Sequence, residues 1–448
     1  MRDVAQMFAA RVPRYTSYPT APHFQAGIDD AVYRRWLAEL PKGAPLSLYI
    51  HVPFCDTLCW FCGCHTSVVN TYTPVTGYLR LLEKEIALIA DAVGEEHPVT
   101  HLHFGGGSPT MLHPDDLRHL NAVLRRRFEF APDAEIAIEI DPRGFTEAMA
   151  QALAGIGVNR ASIGVQDCDP QVQHAINRIQ PAAVTADAVR LLRDAGITAL
   201  NIDLIYGLPH QTVEGLERTI ETVLALNPDR LAIFGYAHVP HFKKHMELIP
   251  ADTLPGVAAR FAQAAAAEAM LRARGYVPVG IDHFARPGDA LAAAQAEGRL
   301  ARNFQGYTTD TAPVLLGLGA SAIGALPHGY VQNISDVPGY RKALNEGRLP
   351  IARGVALTAE DVIRRRVIER LMCDLEADLG AIAAQGGRDA AMFAGALESL
   401  EPYRREGIVT IEGNRIAIAP QWRSATRLVC AAFDAHLDEG AKRHALAV

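Results

Sequence analysis

The sequence predicts an α/β fold built on a parallel sheet, and two observations carry that reading. Short β-rich runs recur at LSLYIHV (46–52), VTHLHF (99–104), EIAIEI (135–140), ASIGV (161–165), ALNIDLI (199–205) and RLAIF (230–234). Helical patterns lie between them: one places Leu79, Leu82, Ile86, Ile89 and Val93 on a single face, another Val184, Ala188, Leu191, Leu192 and Ala195. Strand and helix alternating six times implies parallel strands joined by right-handed crossovers. Six such units can form a doubly wound sheet or an incomplete barrel, and periodicity leaves both open.

The flanks read differently. The first 45 residues are proline-rich and predict an extended arm with one short helix near Asp29 to Leu40. After the sixth strand come an Ala-rich helix (about 253–275), a loop carrying GIDHFARP and the segment RNFQGYTT. These lead to LLGLGASAIG, read as a last strand and turn, and Pro350 with IARGVAL reads as a linker. From about 356 the pattern is helical, ending in a hairpin, IVTIEGNRIAIAP, whose Glu-Gly-Asn turn separates two alternating strands. Helices plus a hairpin suggest a winged-helix-like shape. The 448 residues exceed one ordinary domain, so the expected organisation is an arm (1–45), an α/β unit (46–350) and a mostly helical C-terminal domain (356–448).

Composition narrows the function classes. With 49% hydrophobic and 21% charged residues the chain fits neither the disordered nor the fibrous class. No apolar stretch is long enough to span a bilayer, and MRDVAQMFAARVPRY has no apolar core of a signal peptide, so a cytoplasmic location is expected. A net charge of -7 gives no electrostatic footprint for nucleic acid. Acidic residues also outnumber basic ones from Ala356 on, so the winged-helix shape reads as a cap rather than a DNA reader. Coiled-coil heptads are absent, which makes a monomer the default. An anionic substrate must therefore be met by local Arg, Lys or His.

Of seven cysteines, Cys55, Cys59, Cys62 and Cys64 fall within ten residues, while Cys168, Cys373 and Cys430 stand singly in apolar surroundings. A large chain without a secretory signal argues against a disulfide framework, so the cluster reads as metal or redox chemistry. The C-x3-C-x2-C spacing of Cys55, Cys59 and Cys62, directly after the first strand, suits three corners of a four-iron cluster and leaves one iron open to a small molecule. Zinc is the alternative, with Cys64 and His65 completing a closed site, but no second CxxC pair follows at finger-like spacing. After the second strand, Gly105-Gly106-Gly107-Ser108-Pro109-Thr110 fails the dinucleotide pattern, because Thr110 stands at the last glycine. Such glycines let the backbone approach a ligand, and their N–H groups can meet a carboxylate.

The cysteine spacing, its place after the first strand and Phe61 before the third cysteine resemble the radical S-adenosylmethionine superfamily. PRYTSYPT, YIHVPFC, CWFCGC, HLHFGGGSPT, IEIDPR, SIGVQD, NIDLIYGLP, YAHVP, DHFARP, RNFQGYTT and GLGASAI further occur in the order seen in the oxygen-independent coproporphyrinogen III oxidase (coproporphyrinogen dehydrogenase) family, covering nearly the whole chain. That resemblance implies a partial (β/α)6 TIM-like barrel with its chemistry at the C-terminal ends of the strands. It implies a 4Fe-4S cluster on Cys55, Cys59 and Cys62, with Cys64 outside the ligand set. It also implies two S-adenosylmethionine molecules. Tyr49, Gly106, Glu139 and Ile323 are expected around the first, and Phe61, Gly107, Ser108, Gln166, Arg178, Asp203 and Ala237 around the second.

The activity so implied is conversion of two of the four propionates of coproporphyrinogen III to vinyl groups, giving protoporphyrinogen IX in haem biosynthesis. An adenosyl radical takes a hydrogen from the propionate carbon next to the ring, and carbon dioxide and an electron leave. The electron that starts the reaction would come from a donor such as a flavodoxin or ferredoxin. Arg14, Tyr15, Tyr18, Arg286 and Arg302 are the candidate propionate binders, since Arg suits bidentate carboxylate pairing. The nearest alternative is the haem chaperone branch of the same group, which usually has Phe where Cys64 stands and lacks the PRYTSYPT arm; radical enzymes that modify haem are a second. Departures from the commoner pattern lie at 65–70 (HTSVVN) and His241.

Overall fold

The computed structural model describes residues 8, 10–94 and 96–437. Residues 1–7 and 9 of the expected arm and 438–448 of the expected C-terminal domain lie outside the described residues. All six predicted strands are present: β1 (Leu46–Val52), β2 (Val99–Gly106), β3 (Phe130–Ile140), β4 (Arg160–Gln166), β5 (Ala199–Tyr206) and β6 (Arg230–Gly235). They pair in parallel in chain order. A seventh, β7 (Val314–Leu318), pairs in parallel with the free side of β1, so LLGLG extends the (β/α)6 core. Antiparallel strands flank this core. His283–Ala285 and Val277–Val279 lie beyond β6, and Ile323–Leu326, Gly329–Asn333 and Ile351–Ala356 beyond β7, making a sheet of 12 strands.

Helix α1 (Asp30–Ala38) precedes the sheet, capped by the Asp29 side chain on the Val32 amide. The crossovers carry α2 (Thr73–Val93), α3 (Pro114–Arg127), α4 (Glu147–Gly155), α5 (Ala182–Asp194) and α6 (Val213–Leu224). In β1, Leu46, Leu48, Ile50 and Val52 are buried in the same apolar core as Val75, Leu79, Leu82 and Ile86 of α2. The alternate residues face a common interior: Ser47 and His103 with Glu139, Ser162, Asn201 and Asp203 line one cavity. Polar side chains on one face and apolar ones on the other are what a curved sheet with an enclosed, wet interior requires.

One sequence expectation is corrected. IARGVAL is not a linker: Ile351–Ala356 is an edge strand paired with Gly329–Asn333, and Gly354 exchanges two backbone hydrogen bonds with Gln25 of the arm, at 2.7 and 2.8 Å. A Cβ on Gly354 would stand 2.4 Å from the Tyr330 carbonyl oxygen, so the glycine that suggested a linker marks a close strand approach. Pro350 stands just before the strand, where its missing N–H costs nothing.

The helical region at about 253–275 is α7 (Val257–Ala273), and α8 (Ala359–Asp374) opens the C-terminal segment with a capping box of Thr358 and Asp361. Short helices and a three-stranded sheet follow, in which Arg415–Ile418 lies between Glu376–Asp378 and Val409–Glu412, a winged-helix-like arrangement. Its core holds Ile363, Val367, Leu371, Phe393, Ile416 and Phe433, together with Phe8, Val12, Tyr15 and Tyr18 of the arm. The Tyr18 hydroxyl accepts from the Ala435 amide at 3.0 Å, and the Tyr15 hydroxyl donates to Asp434 at 3.1 Å. The arm is thus docked on the C-terminal segment.

Candidate active site

The cysteine loop leaves the end of β1 and is closed by a two-residue parallel pairing of Phe54–Cys55 with Ser67–Val68. The segment between is tied down from several elements. Trp60 N–H donates to Ile176 at 3.0 Å, Asn177 Nδ2 to Leu58 at 2.8 Å, and Lys243 Nζ to the Cys64 carbonyl at 2.8 Å; His245 Nε2 contacts the Cys62 carbonyl at 2.8 Å. Thr66 donates to Cys55 Sγ at 3.1 Å, and Arg178 and Arg143 point guanidinium nitrogens at Cys59 Sγ from 3.5 and 3.6 Å. Burial pushes the Cys55 thiol up to about 11, and a hydrogen bond with Cys64 pulls Cys62 down to about 7.

Among the described residues no three His, Cys, Asp or Glu side chains converge on a single ion, as a mononuclear zinc site requires. Thiols that each hold a separate iron of a cluster have no such requirement. Three thiols on one braced loop, open to a cavity and faced by two guanidinium groups, are a donor set that fits an anionic thiolate cluster.

That cavity, about 380 Å³, runs inside the curved sheet. Cys55, Cys59, Phe61, Cys62, Gly106, Gly107, Glu139, Gln166, Arg178 and Asp203 all line it. The glycines are needed for room. Gly106 has φ +114, and a Cβ there would meet His51 Cε1 at 2.7 Å; a Cβ on Gly107 would meet the Phe54 carbonyl oxygen at 2.5 Å. Their amides are already engaged: Gly106 N–H donates to the Glu139 carboxylate at 3.2 Å, while Gly107 N–H donates to the Val52 carbonyl and Ser108 N–H to the Phe54 carbonyl, both at 2.8 Å, which ties the glycine loop to the end of β1 and the start of the cysteine loop.

Tyr49, in register with His103 and Gly317, has its hydroxyl 3.1 Å from His51 Nδ1. Ile323 lies with its backbone where a Cβ of Gly317 would be, at 2.6 Å, on the far side of β7 from β1, and neither it nor Tyr49 lines the cavity. Ser108 is buried with its hydroxyl 3.3 Å from that of Thr110, and Ala237 is half-buried just past β6; neither lines the cavity. Asp203 accepts from Ser162 at 2.8 Å and Asn201 at 2.7 Å, and burial raises its pKa against those two bonds. Arg178 donates to Asp141 at 3.0 Å and to the Gly164 carbonyl at 2.7 Å, while its buried Nε has no hydrogen-bond partner among the described residues. Burial would raise Asp141, but Arg143 and Arg178 hold it below the usual carboxylate range.

The propionate candidates separate. Arg14 donates to the Gly235 carbonyl at 3.0 Å, at the C-terminal end of β6. Tyr15, Tyr18 and Arg302 line a neighbouring cavity. Arg286 is corrected: its guanidinium binds the Pro228 carbonyl and the Asn227 side chain, before β6 begins. The strand His283–Ala285 runs antiparallel to β6 and carries the chain back to the wrong end of the sheet. Sequence reading also passed over Asp141 and Arg143, although IEIDPR puts them directly after Glu139 at a strand end, and His283 and Asp310, which line the cavity from outside the six units.

The comparisons agree with this geometry. Residues 49–223 match the model of the radical SAM superfamily. The chain is 52% identical over 438 residues to an oxygen-independent coproporphyrinogen III oxidase of Bradyrhizobium diazoefficiens, covering 98% of this chain and 97% of that one. It is 43% identical to the oxygen-independent coproporphyrinogen III oxidase of Paracoccus denitrificans, covering 99% and 98%. The solved structure of coproporphyrinogen III oxidase from Escherichia coli, described as a radical SAM enzyme, superposes with a TM-score of 0.91 at 39% identity, covering 96% of this chain and 100% of that one. No helix among the described residues is long and apolar enough to cross a membrane. The chain therefore belongs to the oxygen-independent coproporphyrinogen III oxidase family of radical SAM enzymes, which use a 4Fe-4S cluster and S-adenosylmethionine.

Proposed function

We propose that this chain catalyses the oxygen-independent oxidative decarboxylation of two propionates of coproporphyrinogen III, giving protoporphyrinogen IX in haem biosynthesis. One observation carries the reading: Cys55, Cys59 and Cys62 open into a cavity that also presents Glu139, Gln166, Arg178 and Asp203. Cys55, Cys59 and Cys62 hold the 4Fe-4S cluster, and Cys64 is outside the ligand set. When bound, the cluster and S-adenosylmethionine supply one-electron reduction and hydrogen-atom abstraction.

The chain's own part is to position and neutralise. Arg143 and Arg178 place positive charge against the Cys59 sulfur, where a thiolate carries negative charge. Tyr49, Gly106, Glu139 and Ile323 surround one S-adenosylmethionine; Phe61, Gly107, Ser108, Gln166, Arg178, Asp203 and Ala237 surround a second. In support, Tyr49 and Glu139 crowd the same side of Gly105, each with an atom 2.9 Å from where its Cβ would be, whereas Gln166 and Arg178 crowd Gly164, at 3.0 and 3.3 Å. Arg14, Tyr15, Tyr18 and Arg302 meet substrate propionates. Residues 1–45 serve as the arm, 46–350 as the catalytic unit and 356–448 as the cap. The protein works as a cytoplasmic monomer, reduced by a donor such as a flavodoxin or ferredoxin.

The test is an anaerobic assay of the purified protein with reconstituted cluster, dithionite, S-adenosylmethionine and coproporphyrinogen III. The expected products are protoporphyrinogen IX and 5′-deoxyadenosine. Haem binding with no decarboxylation would assign the chain to the chaperone branch instead.

A further inference from the structure

A second cavity, of about 480 Å³, lies behind the hairpin of Ala301–Asn303 and Gly306–Thr308. It shares Asn303, Thr308, Asp310 and Leu315 with the first, so the two cavities adjoin. Tyr15 and Tyr18 of the arm, Phe304, Tyr330 and one side of α8 complete its lining. Five arginines face it, Arg299, Arg302, Arg365, Arg366 and Arg370, against two carboxylates, Asp310 and Glu369. In a chain of net charge -7 that is a local reversal of sign.

Three of the five cations are answered. Arg299 pairs with Glu297, Arg366 with Glu369 at 2.7 Å and Arg370 with Asp374 at 2.6 Å. Asp310 is engaged by Ser47 and His101. Arg302 is answered only in part. Its side chain is 7% exposed and its guanidinium lies 4.4 Å from the Tyr307 ring and 3.9 Å from Asp282, but Nε and Nη1 make no hydrogen bond among the described residues. Arg365, half-buried, makes no hydrogen bond or ion pair among the described residues. Burying guanidinium N–H groups without partners is unfavourable unless a ligand answers them.

We propose that this second cavity holds the two propionate carboxylates that do not react, with Arg302 and Arg365 as their ligands, an assignment that rests on the decarboxylase reading above. The substrate presents four propionates of the same chemistry and only two are converted. Fixed cations that capture the other pair keep those groups away from the cysteine loop and set which rings face it. The macrocycle lies against the aromatic walls. Since Arg365 belongs to α8, the C-terminal segment builds part of the substrate site rather than only covering it.

The probes are coproporphyrin III, the fluorescent oxidised form of the substrate, and its tetramethyl ester, which has no carboxylate, titrated into the anaerobically reconstituted full-length protein. Arg365→Gln and Arg302→Gln each weaken coproporphyrin III binding about ten- to a hundred-fold and leave the ester's affinity unchanged. Arg365→Lys, which keeps the charge without the fork, recovers part of the loss. In turnover the same variants raise KM for coproporphyrinogen III more than they lower kcat. Arg302 is buried, so the half-buried Arg365 decides the matter if Arg302→Gln does not fold. Unchanged coproporphyrin III affinity in Arg365→Gln, with an active wild type, overturns this assignment and leaves the decarboxylase reading standing. A wild type that binds haem and decarboxylates nothing overturns both.

Discussion

The two ends of the barrel interior use the same charged residue types in different proportions. At the floor, Arg160 pairs with Glu135 at 3.0 Å and Arg230 with Asp289 at 2.7 Å, two cations to two carboxylates. Burial would lift Glu135, but Arg160 and Arg230 outweigh it and hold the carboxyl ionised. At the mouth, Arg143 and Arg178 share one carboxylate, Asp141, and turn further N–H groups toward Cys59. Around Asp141 and Cys59, two guanidinium groups thus meet a single carboxylate. The floor pairs its charges one to one and closes the structure; the mouth turns spare guanidinium N–H groups to the sulfur that an anionic thiolate cluster would occupy.

The largest expected effect breaks the mouth outright. Cys59→Ser removes the sulfur that both guanidinium groups face, and iron content and 5′-deoxyadenosine formation are expected to fall to background. Cys64→Ser is the control that sharpens the assignment. Its iron content stays at the wild-type level, and a loss of iron there would put Cys64 into the ligand set.

The floor responds in the opposite way. Arg230→Met leaves Asp289, whose side chain is 7% exposed, without its close partner, at a cost of about 3–5 kcal/mol. Guanidinium denaturation of the metal-free protein measures that loss, while reconstituted iron per folded chain stays normal. Arg178→Met is expected to reverse the pattern, with weaker cluster retention and a smaller loss of stability. Equal stability losses in the two variants would remove the distinction between the ends.

Much of this contrast was legible in the sequence, for physical reasons that differ by residue. Glu139 and Asp203 came from the family resemblance, and the strand pattern is consistent with it, because a polar residue at an alternating position in a β-rich run faces a wet interior. The three cysteines could be found because short-range spacing survives folding unchanged. The strand Ile351–Ala356 was hidden, since its partners Gln25 and Tyr330 are remote or follow a turn, and Pro and Gly in the run imitate a linker. Arg286 was misassigned because a motif carries no direction: two residues of antiparallel travel moved it to the other end of β6. Arg365 sits in the run Arg364-Arg365-Arg366, which on its own reads as a solvated helix face. Only the packing of α8 against the Ala301–Thr308 hairpin gives it a cavity.

A smaller effect is expected where the two loops of the mouth touch. Gly107→Ala sets a methyl group against the Phe54 carbonyl oxygen, backbone that cannot swing aside. The overpacking costs about 1–3 kcal/mol and shifts the cysteine loop, so S-adenosylmethionine affinity should drop along with stability. Isothermal titration of the reconstituted variant separates the two. An unchanged affinity would show that the cysteine loop does not rely on this contact.

The last prediction tests a third way of burying a carboxylate. Glu85 of α2 has no ion pair among the described residues. It accepts from the Gly319 amide at 2.6 Å and from Tyr340 and Asn333, bonds that hold the turn after β7. Burial pushes its pKa up to about 7, and those three bonds pull against the rise without cancelling it. The folded state then binds the Glu85 proton more tightly than the unfolded chain, whose carboxyl titrates near 4.5. Its contribution is fully present below pH 4.5 and is lost as pH rises through about 7, with a slope of at most about 1.4 kcal/mol per pH unit. Glu135 on the floor, held below its usual range by Arg160 and Arg230, has the opposite sign, losing its contribution as pH falls. Denaturation midpoints taken across this range should therefore decline toward neutral pH in the wild type and flatten in Glu85→Gln, which cannot ionise; an equally steep decline in the variant would assign the slope to another group.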